Sequence, residues 1–278
     1  MSKRIAGDYS KLVFRHSITE NPDPADFERH CHPYYELLYV RNGGGKYVVE
    51  SAEYPLLPNT LLIIRPYEFH YVCPSRNSLY DRWMIYFYKD TLWDNSLTSL
   101  SFIRSDVNKG KGAYFAFDSD DNAITAVLKN MDTACEMFDG RRRRSSKEEA
   151  MQISLLSQAL LLLSLEEHES RAPTDNDLIG SVIEYLNIHV AEDINLDDIS
   201  QKFFISKYYL CRAFREHTGV SMLTYLNTKR IAMAEQLIKQ GEPSTSVAYQ
   251  VGFKTYSSFY RSYCKYTGHA PSKAKPNT

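Results

Sequence analysis

Residues 209–219 (Tyr-Leu-Cys-Arg-Ala-Phe-Arg-Glu-His-Thr-Gly) and 258–268 (Ser-Phe-Tyr-Arg-Ser-Tyr-Cys-Lys-Tyr-Thr-Gly) are two versions of one segment. At an offset of 49 residues, Arg212 falls on Arg261, Leu210 on Phe259, Phe214 on Tyr263 and Thr218-Gly219 on Thr267-Gly268. An internal repeat means one structural unit used twice. Apolar residues four apart put one face of a short helix into a core, and the trailing glycine supplies its stop. The opposite face carries the arginines. Two cationic helices of one design imply insertion into the grooves of one duplex, so double-stranded DNA is the expected partner.

The charge distribution supports this. The chain of 278 residues has a net charge of −1, yet from residue 199 onward there are 12 Lys and Arg against 3 Asp and Glu. The remainder holds 21 basic against 31 acidic groups. Only the last third is built to meet phosphate. Five scattered cysteines (Cys31, Cys73, Cys135, Cys211, Cys264) form no Cys-x-x-Cys pair, which points to reduced thiols and away from a disulfide framework or zinc site. The opening Met-Ser-Lys-Arg-Ile-Ala-Gly has no apolar run of a signal peptide, and Leu155–Leu165 is too short to span a bilayer. A soluble, cytoplasmic protein without membrane contact is expected.

Periodicity divides the chain. Within residues 1–118, short apolar or aromatic runs (Glu36–Val40, Lys46–Val49, Thr60–Ile64, Arg82–Tyr88, Tyr114–Phe117) alternate with turn signals such as Arg41-Asn42-Gly43-Gly44-Gly45, predicting a β sandwich or small barrel. Residues 119–168 switch to helical period. Ile124, Val127, Leu128, Met131, Ala134, Cys135 and Phe138 form one stripe, ended by Gly140. Arg141–Arg144 reads as a solvated loop. A second helix opens on a capping box, Ser146-x-x-Glu149, and carries Leu155, Leu156, Leu160, Leu161, Leu162, Leu163 and Leu165. Leucine on two sides implies two covered surfaces, one of them a candidate homodimer seam; burial within one subunit is the alternative. Residues 169–176 read as a linker and 177–278 as an all-helical domain, with helix-turn-helix units at 195–217 and 244–266.

In the first unit, packing is expected through Leu196, Ile199, Leu210 and Phe214, with Lys207, Tyr208, Cys211, Arg212 and Arg215 facing outward. In the second, Val247, Val251, Phe259 and Tyr263 point inward, and Thr255, Tyr256, Ser257, Tyr260 and Arg261 outward. Those ten outward residues are the candidate DNA contacts. Arg212 and Arg261 have the planar fork suited to guanine.

From about Asp193 to Lys275 the chain resembles the DNA-binding domain of AraC-family bacterial transcription regulators. The resemblance rests on Ser206-x-x-Tyr209-Leu210-x-Arg212-x-Phe214, Thr218-Gly219, Tyr225-Leu226, Arg230-x-x-x-Ala234, Val251-Gly252-Phe253 and Tyr266-Thr267-Gly268-x-x-Pro271. It implies base-facing positions at Tyr208, Cys211 and Arg212, and at Tyr256, Ser257, Tyr260 and Arg261. Ser200 and Phe204 depart from the Ala and Gly frequent in that family, so the first unit's turn is expected to differ in detail.

His30-x-His32-x-x-x-Glu36, followed by Gly43, matches the first motif of the cupin barrel, and His70 stands where a fourth ligand would fall. The expected fold is therefore α+β: a cupin-like β-barrel with two following helices, then an all-α double helix-turn-helix domain. His30, His32 and Glu36 share parity, so on one strand they would point to one face. The second cupin motif lacks its glycine between Pro66 and His70. The resemblance implies a pocket that senses a small molecule without a metal, and no cofactor or catalytic residue is assigned. His30, His32, Tyr34, Glu36, His70 and Trp83 are the candidate effector contacts. Metal binding by His30, His32, Glu36 and His70, and a purely structural role, stay open beside that. Neighbouring aromatics suit either a sugar ring or the filling of a small barrel.

The function expected is a ligand-responsive, sequence-specific transcription regulator acting as a homodimer on operator DNA, with a carbohydrate as one effector class and RNA polymerase as a further partner. The rivals are a metal-dependent cupin enzyme with an accessory DNA-binding domain and a non-specific architectural protein.

Overall fold

The computed structural model describes residues 12–92, 112–117, 145–165 and 178–274, with Leu100, Ile103 and single residues between 125 and 136. The chain divides into two compact units, Met1–Thr174 and Asp175–Thr278. The expected Arg141–Arg144 loop and the 169–176 linker lie outside the described residues.

Among the described residues, the first unit contains eight antiparallel strands: β1 Leu12–Glu20, β2 Tyr35–Asn42, β3 Gly45–Val49, β4 Ala52–Pro55, β5 Thr60–Ile64, β6 His70–Pro74, β7 Leu79–Phe87 and β8 Ala113–Ala116. They form a five-stranded sheet, β1-β7-β2-β5-β8, and a three-stranded sheet, β4-β3-β6. The period of two sorts β2 between two cores. Leu38 and Val40 point between the sheets, where they meet Tyr47, Val49, Tyr54, Leu62, Ile64, Val72 and Met84. Tyr35, Leu37 and Tyr39 point to the other face and join Trp83, Ile85 and Phe87.

That outer face is covered by α1, Ser146–Leu165. Its Ile153, Leu156, Ala159, Leu160 and Leu163 are buried against the sheet. Each such fully buried large side chain contributes roughly 1.5–3 kcal/mol. The helix starts one residue earlier than the capping box read from sequence. Ser145 N donates to Glu148 at 2.7 Å and Glu148 N to Ser145 Oγ at 3.3 Å, so the box is Ser145-x-x-Glu148. Two adjacent serines followed by two adjacent glutamates fit either register, and packing of the leucines selects this one. The residues described between 125 and 136 are helical, and among them Leu128 and Met131 join the same core.

The second unit is helical: α2 Leu178–Ile188, α3 Leu196–Lys202, α4 Lys207–Thr218, α5 Met222–Lys239, α6 Ser244–Gln250 and α7 Tyr256–Thr267. Asn195, Ser206, Ser221 and Thr255 cap α3, α4, α5 and α7 with side-chain oxygens, each satisfying a backbone N–H that the helix leaves unpaired. Ile199, Leu210, Phe214 and Tyr225 are buried in the first half, as are Val247, Val251, Phe259 and Tyr263 in the second. Leu196, expected inside, is 39% exposed. It is the first residue of a seven-residue helix, and Ile199 one turn later carries the packing alone.

Candidate functional site

The repeat is structural as well as textual, and its two copies differ by one residue. In the first turn Phe203 N donates to Ile199 O and Ile205 N to Ser200 O, both at 3.0 Å. In the second turn Val251 N donates to Val247 O and Phe253 N to Ala248 O, also at 3.0 Å. Those bonds, and the spans of α3 and α6, correspond at an offset of 48. The caps Ser206 and Thr255, and the spans of α4 and α7, correspond at 49. Lys254 is the extra residue. It lies in the second turn and pairs with Asp193 at 2.9 Å.

Phe204 thus corresponds to Gly252, and both lie in the left-handed region, at φ 55° and 93°. At Gly252 a side chain is excluded, because a Cβ would stand 2.6 Å from Ala191 O. At Phe204 the side chain is 95% exposed and meets no such wall. The first turn therefore has the same backbone, with a non-glycine residue bearing the strain of positive φ.

Both recognition helices end alike. Thr218 Oγ1 lies 2.7 Å from Phe214 O and accepts from Val220 N at 3.4 Å. Thr267 Oγ1 lies 2.8 Å from Tyr263 O and accepts from His269 N at 3.3 Å. This is why Thr-Gly recurs in the sequence.

Of the ten outward residues expected, nine are exposed: Lys207, Tyr208, Cys211, Arg212, Arg215, Thr255, Ser257, Tyr260 and Arg261. Tyr256 is half-buried, its hydroxyl 3.3 Å from Ser244 Oγ and its ring against Phe259. It braces α6 as well as facing out. Two of the cations are already engaged by acids. Arg212 Nε donates to Glu216 at 2.9 Å, one helical turn on, and Lys207 pairs with Asp197. The Glu216 hydrogen bond raises the Arg212 pKa further above its ordinary value.

Arg230 fixes the first part of the unit from beneath. Its Nε donates to Val190 O at 2.9 Å and its Nη2 to Glu192 O at 2.7 Å. Burial of this guanidinium lowers its pKa, and the two carbonyls compensate its charge.

In the first unit the histidines converge, by a route that the sequence did not indicate. His30 and His32 precede β2 rather than lying on it, so shared parity is not what aligns them. His30 instead forms an isolated bridge with His70 at the start of β6, N to O in both directions at 3.0 and 2.9 Å. His70 is delivered by the Arg65–Phe69 turn, where Tyr67 has φ 62° and donates its N–H to His32 O at 2.8 Å. Tyr67, in the stretch between Pro66 and His70 where the cupin motif's glycine is missing, takes the left-handed conformation itself.

The result is a buried cluster. His32 Nε2 lies 3.0 Å from Glu36 Oε2, and His70 Nε2 lies 3.6 Å from the same oxygen. His30, His32 and His70 offer nitrogens within 4.8 Å of one another, the one such group among the described residues that could hold a metal. Burial would raise the pKa of Glu36, but the hydrogen bond to His32 and the adjacent His70 and His32 imidazoles outweigh it and hold the carboxyl below the usual range. Desolvation, followed by the neighbouring His70 imidazole, lowers the pKa of His30, although the residue keeps an exposed edge.

Tyr34 stacks on His32 with centroids 4.1 Å apart and meets Tyr86 edge-on at 5.3 Å. Tyr47 packs parallel to His70 at 6.0 Å. Arg82 lies over the Tyr80 ring at 4.0 Å. None of Tyr47, Tyr80, Arg82 and Tyr86 was among the sequence candidates. Cross-strand pairing such as Glu36 with Tyr86 would have found the last, had the register been known.

Trp83 is set apart from the cluster. It pairs in register with Tyr39, which places it on the outer face of the five-stranded sheet. There it stacks on His16 at 4.1 Å and donates to Asp132 at 2.6 Å. The side of a strand on which a residue falls depends on register, and Trp83 falls on the α1 side.

Among the described residues, no helix is long and apolar enough to cross a membrane. Residues 18–168 match the model of the AraC-like ligand binding domain, and residues 199–276 match a helix-turn-helix domain. The HTH-type transcriptional regulator YbfI of Bacillus subtilis is 26% identical over 235 residues, 83% of this chain and 80% of its own length. The HTH-type transcriptional activator RhaS of Escherichia coli is 24% identical over 245 residues, 84% and 82% of the two lengths. An apo ToxT variant from Vibrio cholerae aligns over 94% of this chain and 96% of its own, at 16% identity and a TM-score of 0.40. With a ligand-binding domain matched over more than half its length and a DNA-binding domain behind it, this chain belongs to the AraC family of ligand-responsive, helix-turn-helix transcription regulators.

Proposed function

We propose that α4 and α7 read two successive major grooves from one subunit, through Lys207, Tyr208, Cys211, Arg212 and Arg215 on the first and Thr255, Tyr256, Ser257, Tyr260 and Arg261 on the second. The observation that carries this is the paired construction: two units of one backbone design, each presenting an arginine at the same helical position, joined by α5. Eighteen residues of helix span roughly 27 Å at 1.5 Å per residue. Successive grooves on one face of B-DNA repeat every 34 Å or so, a spacing within reach of recognition helices set at either end. The two faces differ, with Cys211 opposite Tyr260 and Tyr208 opposite Ser257, so each subunit reads an asymmetric site. Arg212 must exchange Glu216 for DNA, which gives binding a component that depends on the loss of this ion pair.

In the first unit, the effector is a small polar molecule, such as a carbohydrate, that meets Tyr34 and the edge of His30 and reaches the His32, Glu36 and His70 cluster. Trp83 contributes by holding the sheet rather than by touching ligand. The effector is sensed and not turned over. Residues 119–168 form the homodimer contact, the protein works in the cytoplasm, and contact with RNA polymerase is supported by a relative named as an activator.

The test is selection of genomic fragments by the full chain, then binding of the winning site by Arg212→Ala and Arg261→Ala. Each is expected to weaken the complex by about 1–3 kcal/mol and to lower its salt dependence. If affinity and salt slope stay unchanged in both variants, the groove assignment is wrong.

A further inference from the structure

The period of two that sorts β2 also sorts β7. Asp81 turns to the outer face of its sheet, where His16 lies 2.6 Å and Arg41 3.6 Å away. Tyr80 and Met84 turn the other way, into the core between the two sheets, and Arg82 shares their parity. An acid and a base adjacent in sequence thus stand on opposite faces. Among the described residues no carboxylate pairs with Arg82. Glu36 acts on it from nearby but is turned to His32 and His70, at 3.0 and 3.6 Å.

The Arg82 guanidinium is held from one side only. Its Nη1 donates to Thr19 Oγ1 at 3.1 Å and to Tyr80 O at 3.3 Å. Its centre stands 4.0 Å from the Tyr80 ring and 5.6 Å from the Phe27 ring, which attract the cation and supply no acceptor. Nε and Nη2 have no partner among the described residues, and neither is sealed from solvent. The same holds for the hydroxyls of Tyr47 and Tyr80, although both residues are almost fully buried. Tyr47 is acted on by Glu36, Tyr80, Tyr86 and Arg82, so these groups surround one space. Open polar atoms on buried side chains mark the wall of a pocket. Burial pushes the Arg82 pKa down, because a desolvated cation without an anion is unfavourable.

We propose that Arg82 is the carboxylate-binding residue of the effector pocket, taking the two oxygens of one ligand carboxylate on its Nε–H and Nη2–H, with the Tyr47 and Tyr80 hydroxyls on the ligand's remaining polar groups. Two parallel N–H bonds from one edge of an arginine fit a planar carboxylate. Arg82 is the one cation acting on the Tyr80 hydroxyl among the described residues, which matches a single negative charge better than a phosphate dianion. The effector is therefore a small acid that also carries hydroxyls, such as a sugar acid. This rests on the effector site proposed above and narrows it. Tyr86 connects the two parts, since it acts on Arg82 and meets Tyr34 edge-on at 5.3 Å.

The experiment measures the melting temperature of the full chain with glucuronate, galacturonate and gluconate, with the neutral sugars glucose and galactose, and with inorganic phosphate. A ligand that binds only the folded chain raises Tm by mass action. A rise with at least one acid, and none with the neutral sugars, is expected. Arg82→Gln, and Arg82→Lys, which keeps the charge and loses the fork, should each weaken binding of that acid at least tenfold. Tyr47→Phe should weaken it less. Arg76→Gln, at a surface arginine 3.4 Å from Asp23, should bind as the wild type does. Circular dichroism confirms that each variant is folded; if Arg82→Gln is not, Tyr47→Phe and the contrast of acid with neutral sugar in the wild type decide. A rise with no acid, a rise with phosphate alone, or an equal rise in Arg82→Gln overturns the proposal. Affinity for the selected DNA fragment is measured with and without each compound. Neutral sugars that bind and change DNA affinity refute the carboxylate site and leave the effector reading standing. An acid that binds through Arg82 and leaves DNA affinity unchanged supports the site and refutes the effector reading.

Discussion

Replacing Gly252 by alanine should be among the most damaging single changes available in the second unit. Its φ of 93° lies where an L side chain is strained, at roughly 1–2 kcal/mol. The added Cβ would stand 2.6 Å from Ala191 O, 2.9 Å from Ala191 C and 3.0 Å from Arg230 Nε. Relief requires the 190–192 segment to retreat, but Arg230 holds that segment by Val190 O and Glu192 O at 2.9 and 2.7 Å. Giving up one bond from a charged donor costs about 1.5–3 kcal/mol. The sum is a loss of about 2.5–5 kcal/mol. For a unit of this size, each 1 kcal/mol lowers Tm by roughly 4–8 °C. The measurement is urea unfolding of the full chain followed by circular dichroism at the helical minimum. Both tryptophans, Trp83 and Trp93, lie in the first unit, so their fluorescence reports that unit separately and should be unchanged. A loss below about 1 kcal/mol would show that Gly252 does not pack on the Ala191 backbone and that Arg230 does not clamp it.

The matching change in the first turn should have the opposite sign. Phe204→Gly removes strain of about 1–2 kcal/mol and adds about 0.5–1 kcal/mol of backbone entropy cost, so a net gain of about 0–1.5 kcal/mol is expected in the same unfolding experiment; a loss would mean that the Phe204 ring is held in place. Trp83→Phe leaves Asp132 without its 2.6 Å donor and should cost the first unit about 1–3 kcal/mol without changing effector affinity. Weaker effector binding at unchanged stability would return Trp83 to the pocket. On α1, Leu161 and Met151 are exposed, at 47% and 44%. Leu161→Glu is expected to convert a dimer into single chains in sedimentation, and a wild-type mass of one chain at every concentration refutes the seam.

Much of the second unit was legible because its signals are local. Caps at Asn195 and Ser206, four-residue apolar spacing at Leu210–Phe214 and Phe259–Tyr263, and Thr-Gly stops each concern residues within one or two turns. What escaped was the single-residue insertion at Lys254. Matching letters at one offset cannot place a gap, whereas the hydrogen bonds of the turn can. The strands were less legible. β1, β4 and β6 were not anticipated, since their burial alternates without the uniform apolar run of β5, and the Ser145 or Ser146 start of α1 was undecidable from a doubled motif.

The residues of the candidate cluster lie together, though not for the reason read from the sequence. His30, His32, Glu36 and His70 do meet, but not through parity on one strand. Local sequence determined which residue types were available, where each helix begins and ends, and that one helical unit was built twice. Tertiary structure alone decided that the β6 bridge and the Tyr67 turn carry His70 to Glu36, and that strand register turns Trp83 away. Helix contacts lie within four residues and leave a periodic record. Sheet contacts join segments tens of residues apart, and a shift of one residue reverses every face.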